Sequence, residues 1–170
     1  MTQFFNTAFR TKLGWVALLG SSRGLRRVTL SAESPDVCLG LALYGAIEAG
    51  QSDSPFGDLP DRLCRYFEGE PVRFDDELDL SGVTPFRRAV WEAARSIPYG
   101  ETRSYSWVAG RAGSSRAARA VGQALAENPF LIVVPCHRVV RRDGSLGGFG
   151  VGVDMKRHLL DIEGAAMAQP

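Results

Sequence analysis

The residues with the clearest chemical potential are Cys136 and His137, set between Pro135 and Arg138 behind the apolar run Phe130, Leu131, Ile132, Val133, Val134. The thiolate, not the thiol, is the cysteine nucleophile, so reactivity near neutral pH needs a base or a cation nearby. The adjacent imidazole is the obvious base. Neighbouring residues of a strand point to opposite faces, so contact between the two side chains requires a turn here or a bridging water. Two readings stand at this point: an activated nucleophile, or a buried cysteine beside a polar residue. Cys38 and Cys64 have no histidine near them in sequence and read as small buried hydrophobes.

Three widely spaced cysteines with two histidines, His137 and His158, give neither a disulfide framework nor zinc-ligand spacing. No metal and no cofactor is expected. The loop Gly147-Gly148-Phe149-Gly150-Val151-Gly152 lacks the Gly-Lys-Ser/Thr ending of a phosphate loop and reads as a movable wall beside a flat ligand. In the 170 residues, 45% are hydrophobic and 23% charged, which excludes an intrinsically disordered chain. No apolar stretch approaches the roughly 20 residues of a membrane span, and no signal peptide is evident, so a cytoplasmic protein without a membrane partner is expected. The net charge is only +1, yet residues 86–142 hold 10 arginines against 3 acidic residues, a local excess of +7. Such a block suits phosphate contacts or a solvated face.

The elements that must position these residues follow from periodicity and punctuation. Apolar runs at 13–19 and 28–30 flank the turn Ser21-Ser22-Arg23-Gly24 and predict a hairpin; helices are expected over 35–47 and 59–67, then a linker over 70–84. Thr84 caps a helix that starts at Pro85 and stops at Pro98-Tyr99-Gly100. Helices over 104–111 and 117–127, joined through Gly113 with Ser114 or Ser115 as a cap, predict a helix-turn-helix. The second is narrow, with Ala117, Ala118, Ala120, Gly122 and Ala124 around Arg119, and suits close approach to a groove or to another helix. A buried strand over 130–134 leads to Cys136, Arg142-Asp143-Gly144 turns the chain, and a last helix over 154–163 ends at Gly164.

The segments Asn128-Pro129, Val134-Pro135-Cys136-His137-Arg138-Val139-Val140, Ser115-Arg116-Ala117-Ala118-Arg119-Ala120-Val121-Gly122 and Lys156-x2-Leu159-Leu160-x2-Glu163-Gly164, at these spacings, resemble the O6-alkylguanine-DNA alkyltransferases. The resemblance covers about residues 84–164. It implies an α/β (α+β) protein with an amino-terminal ribonuclease-H-like lobe over 1–80, and a DNA-binding and alkyl-transfer domain over 84–164 with a winged-helix-like helix-turn-helix. The implied activity is single-turnover repair of O6-methylguanine in duplex DNA by irreversible transfer of the alkyl group to Cys136; O4-methylthymine is left open as a second substrate. The guanine must leave the stack for its O6 substituent to be reached. The partner is double-stranded DNA carrying alkylated guanine, bound by a monomer, singly or cooperatively.

Residue by residue, the resemblance makes Cys136 the acceptor, His137 its base through a water, and Glu163 the group that orients the imidazole. Tyr105 donates to the leaving purine and Lys156 is a pocket lysine. Val139, Phe149, Gly150 and Asn128 line the substrate site, Asn128 also tying the helices to the active-site strand. Arg119 fills the vacated stack; Ala118, Ala120 and Gly122 permit depth in the minor groove; Gln123, Ser104 and Tyr105 complete the DNA contacts. Arg138 reads as a buried ion-pair partner. Two departures stand out: Phe149 where a tyrosine is common, and Val151 where a glycine is commoner, which predicts good handling of methyl and poorer handling of bulky adducts. Among rival readings, a lesion-binding relative without an acceptor thiol is opposed by Cys136, a cysteine hydrolase would need an oxyanion hole, and a sequence-specific regulator is opposed by the small-residue helix.

Overall fold

The computed structural model describes residues 2–45 and 48–165, a mixed α/β chain whose described residues include six helices. Two compact units emerge: Met1–Ser81 together with Pro129–Val133, and Gly82–Asn128 together with Val134–Pro170.

In the first unit, β1 (Phe4–Thr11), β2 (Gly14–Ser21) and β3 (Gly24–Ser31) form an antiparallel meander, and β4 (Gly50–Gln51) adds to β1 in parallel, giving the order β3-β2-β1-β4. The expected hairpin is β2–β3. Both faces of central β2 are covered, by the helix that carries Cys38 and Ala42 on the side of Ala17 and by Phe56 on the side of Gly20, so Val16, Ala17, Leu18 and Leu19 are all buried instead of alternating. Gly24 must be glycine: its φ is +132°, and a Cβ would lie 2.5 Å from the Glu77 carbonyl oxygen. Helix α1 (Pro35–Leu43) is capped by Ser34, which accepts from the Val37 amide, and packs Cys38 and Ala42 on Ala17. The helix expected over 35–47 stops at Leu43; Ala46 and Ile47 lie outside the described residues. Helix α2 (Leu59–Phe67) buries Leu59, Leu63, Tyr66 and Phe67 at helical spacing and ends as expected before Gly69.

The strand expected over 130–134 is not there. Only Phe130 bridges to Val28, and a turn follows in which Ile132 takes φ +71°. All five residues are buried, and a fully apolar run has the same pattern whether its backbone extends or turns.

In the second unit, α3 (Pro85–Arg95) begins at Thr84, whose side chain accepts from the Arg87 amide, as its sequence predicts. Helices α4 (Tyr105–Arg111) and α5 (Ala118–Ala126) follow with a short connection, and Trp91 of α3 donates its indole N–H to the Ala124 carbonyl at 2.9 Å. Neither Ser114 nor Ser115 caps α5: its first turn has no side-chain cap, and the Ser114 carbonyl accepts from the Ala117 amide instead. Helix α6 (Val153–Ile162) ends with Glu163 as its C-cap and Gly164 at φ +60°. A parallel pair unanticipated from sequence, β5 (Arg103–Ser104) with β6 (Val139–Val140), joins the start of α4 to the segment after the cysteine.

Candidate active site

Cys136–Arg138 form a short 3-10 turn, with the Arg138 amide donating to the Pro135 carbonyl at 3.0 Å. The turn, not a strand, sets the directions of the thiol and the imidazole. Cys136 is 8% exposed, and its Sγ receives the Asn128 side-chain amide at 3.3 Å; the same amide donates to the Val134 carbonyl at 3.0 Å. Asn128 thus ties the end of α5 to the reactive turn.

His137 is fully buried, with Nε2 2.6 Å from Glu163 Oε1. Glu163 also accepts from Arg138, Nε to Oε2 at 2.9 Å and Nη2 to Oε1 at 3.1 Å, and from the Gly100 amide at 3.1 Å. Burial alone would favour the neutral acid, but hydrogen bonds and charge from His137 and Arg138 overcome it and hold the Glu163 carboxyl at about 2. For His137, burial wins over the attraction of Glu163 and lowers the proton affinity, so the imidazole is neutral at pH 7. An ionised carboxylate at Nε2 selects the tautomer with its proton there, which makes Nδ1 the basic nitrogen.

Burial pushes the Cys136 thiol up, opposed by the Asn128 hydrogen bond and the Lys156 charge. The resting residue is therefore a thiol, and its proton must be removed during reaction. Lys156 lies buried with Nζ donating to the Val139 carbonyl at 2.6 Å and, at 3.4 Å each, to the Tyr105 hydroxyl and the Gly148 carbonyl. Burial brings its ammonium down to about 8. Burial also raises the Tyr105 phenol, which keeps its proton at neutral pH. Gly147 is required by Tyr105: at φ +69° a Cβ there would sit 2.6 Å from the phenol oxygen.

The structure thus gathers Cys136, His137, Glu163, Asn128, Tyr105, Lys156 and the Val139 carbonyl. Phe149 is half-buried and Gly150 exposed in the loop before α6, where a Cβ on Gly150 would lie 3.7 Å from the Ala126 carbonyl oxygen. On α5, Arg119, Ala120 and Gln123 are exposed and Ala118 is half-buried. Ser104 and Gly122 have neighbours within the fold. Ser104 is buried and its hydroxyl caps α4 by accepting from the Trp107 amide at 3.1 Å. Gly122 looks toward the Tyr105 ring, 3.8 Å from where its Cβ would be. The reason is helical geometry: position 122 falls on the side of α5 that packs on α4.

Sequence reasoning missed the turn that supports the carboxylate. Ile97 accepts from Arg138 Nη1 at 2.7 Å, the Arg138 guanidinium lies 5.8 Å from the Tyr99 ring centroid, and Tyr99 donates to the Ile162 carbonyl at 3.2 Å. In sequence this stretch is only a helix stop, 63 residues before Glu163, and no local signal links the two. Among the described residues no group of three or more His, Cys, Asp or Glu side chains could hold a metal ion, and no helix is long and apolar enough to cross a membrane.

Residues 85–165 match the family described as 6-O-methylguanine DNA methyltransferase, DNA binding domain. A methylated-DNA–protein-cysteine methyltransferase of Methanosarcina acetivorans is 37% identical over 162 residues, 92% of this chain and 96% of that protein. The protein of the same name from Mycobacterium bovis is 52% identical over 108 residues, and the match spans 64% of this chain but only 65% of the relative's length. Among solved structures, that of Mycobacterium tuberculosis OGT in complex with DNA is similar with a TM-score of 0.79 and 38% identity, covering 94% of this chain and 92% of that one. That of O6-methylguanine-DNA methyltransferase from Pyrococcus kodakaraensis is similar with a TM-score of 0.67 and 27% identity, covering 96% and 100%.

Proposed function

This chain belongs to the methylated-DNA–protein-cysteine methyltransferase family, and from that premise we propose that it repairs O6-methylguanine in duplex DNA by moving the methyl group onto its own Cys136. The observation that carries the mechanism is the buried 2.6 Å contact of His137 with Glu163, on the turn that begins at Cys136. Glu163 fixes the proton on Nε2, and Nδ1 takes the Cys136 proton, relayed by a water. The thiolate attacks the methyl carbon, an S–C bond forms, the C–O6 bond breaks, and its electron pair passes into the purine. Tyr105 donates its hydroxyl proton to guanine N3 as that charge develops, with the Lys156 ammonium stabilising the phenolate. The product is a thioether that nothing in this site can cleave, so each molecule reacts once.

The same reading assigns α4 and α5 as a helix-turn-helix entering the minor groove, with Arg119 in the place of the flipped guanine and Ala118, Ala120 and Gln123 along the groove. Residues 84–164 form the DNA-binding and transfer domain, and residues 1–80 a ribonuclease-H-like lobe. The protein acts as a cytoplasmic monomer.

The test is intact and peptide mass spectrometry after mixing with excess O6-methylguanine duplex, beside Cys136→Ala. A single methyl gain on the Cys136 peptide, with guanine restored and no further turnover, is the expected result. Binding without mass gain, or repeated turnover, would refute the transfer. Val151 is 44% exposed in the loop before α6. Methyl adducts are expected to react well and benzyl adducts poorly; equal rates in single-turnover assays would remove any role of this loop in limiting adduct size.

A further inference from the structure

Residues 102–119 carry Arg103, Arg111, Arg116 and Arg119 and no acidic residue. Two of these arginines converge on one ring: the Arg103 guanidinium lies 5.6 Å and that of Arg111 5.4 Å from the centroid of Trp107. Trp107 and Arg111 lie four residues apart on α4, and Arg103, in β5 just before the helix, reaches the same ring. This side of α4 is distinct from the side that carries Tyr105, because Trp107 follows Tyr105 by two residues, about 200° of helical rotation. One cation over a ring is favourable, but a second beside it repels the first. Arg103 is paired, donating to Glu101 at 2.6 Å. Arg111 is exposed and, among the described residues, has no acidic partner. The cluster therefore keeps one net positive charge on an ordered aromatic platform. From Arg111 the chain runs through Gly113 and Arg116, both exposed, directly into Arg119.

We infer that Trp107, held with Arg103 and Arg111, is a second docking point for the DNA backbone, engaging a phosphate outside the groove occupied by α5. The inference rests on the function proposed above. A planar guanidinium ordered against a ring loses less freedom when it grips a phosphate than one swinging in solvent, and a phosphate relieves the repulsion between the two cations. The contact positions the duplex and reads no sequence.

The test measures duplex binding by the full-length chain against KCl concentration. Each phosphate contact adds about 0.9 to the slope of log affinity against log salt. Arg111→Gln is expected to lower the slope by about one contact and weaken binding roughly three- to tenfold. Trp107→Ala removes no charge, yet is expected to cost a similar amount because it removes the platform, while Trp107→Phe restores binding. Glu101→Gln, which frees Arg103, is expected to tighten binding. Arg65→Gln, in an exposed ion pair of the first unit, serves as the control. Thermal melts confirm folding, and Arg111→Gln, at an exposed position, keeps the test decisive should Trp107→Ala unfold. Unaltered slopes in Arg111→Gln and Trp107→Ala would overturn the inference alone. Failure of the unaltered protein to bind duplex would overturn it together with the functional reading.

Discussion

Two buried carboxylates, one in each unit, are held at about 2, yet only one sits beside chemistry. Asp79 of the first unit accepts from the Ser21 hydroxyl at 2.5 Å, from the Ser81 hydroxyl and amide, and from Arg26 at 3.1 Å. Its neighbours are hydroxyls, an amide and a partly exposed guanidinium, none of which changes protonation near neutral pH. Glu163 of the second unit accepts from Arg138, from a backbone amide and from His137, whose ring is next in sequence to a thiol. Both carboxylates lock a fold. The difference teaches that a strongly displaced proton affinity marks burial and good hydrogen bonding, and becomes a functional signal only where a partner can itself take up a proton.

Removing both carboxylates exposes the contrast most strongly. Glu163→Ala strands the buried Arg138 charge and is expected to cost about 3–5 kcal/mol in urea unfolding, with methyl transfer falling roughly 10²- to 10⁴-fold as His137 loses its orientation. Asp79→Ala is expected to cost about 1–3 kcal/mol, with single-turnover transfer unchanged while the protein is folded. Slow transfer in folded Asp79→Ala would break the comparison.

Acid titration follows in size. Both carboxyls are about 2 when folded and about 4 when unfolded, so their stabilisation is complete above about pH 5 and is lost as pH falls toward about 2. Asp79→Asn is expected to flatten the urea midpoint across that window by roughly 2 kcal/mol. An unaltered slope would show that Asp79 adds no acid sensitivity.

Lys156 tests the thiol side of the site. Its ammonium, at about 8, draws the Cys136 thiol downward against burial. Lys156→Gln removes a charge that favours the thiolate and is expected to slow transfer at pH 7 by about tenfold, with partial recovery at higher pH in single-turnover assays. In the unaltered protein, transfer should decline above about pH 8 as Lys156 loses its proton. A profile identical to the unaltered one would remove Lys156 from thiol activation.

The smallest expected effect compares the arginine partners. Arg26, one-third exposed, should tolerate Gln at about 0–1 kcal/mol, whereas Arg138→Gln unpairs a buried carboxylate and should cost several times more. Equal losses by thermal melting would mean the two ion pairs are equally buried in energetic terms.

Much of the site was legible because its signals are local. Cys136 and His137 adjoin; Pro85 and Thr84 announce α3; Gly164 announces the end of α6. The resemblance supplied Glu163, Tyr105, Lys156 and Asn128, and the structure places all four around the turn at Cys136. Other signals misled for a physical reason. The apolar run 130–134 reads as a strand because burial erases periodicity, and Ser114 and Ser115 look like caps because capping chemistry is common to many turns.

The sequence by itself determined the reactive residue types, the helix boundaries set by caps and breakers, and the arginine-rich block, since each depends on residues within a few positions of one another. Only the tertiary structure decided that Gly100 and Arg138 anchor Glu163, that Gly122 serves Tyr105, and that Ser104 is turned inward. These depend on contacts across 25 to 63 residues or on the rotation of one helix against another, which burial and hydrogen-bond satisfaction fix only when the chain is closed.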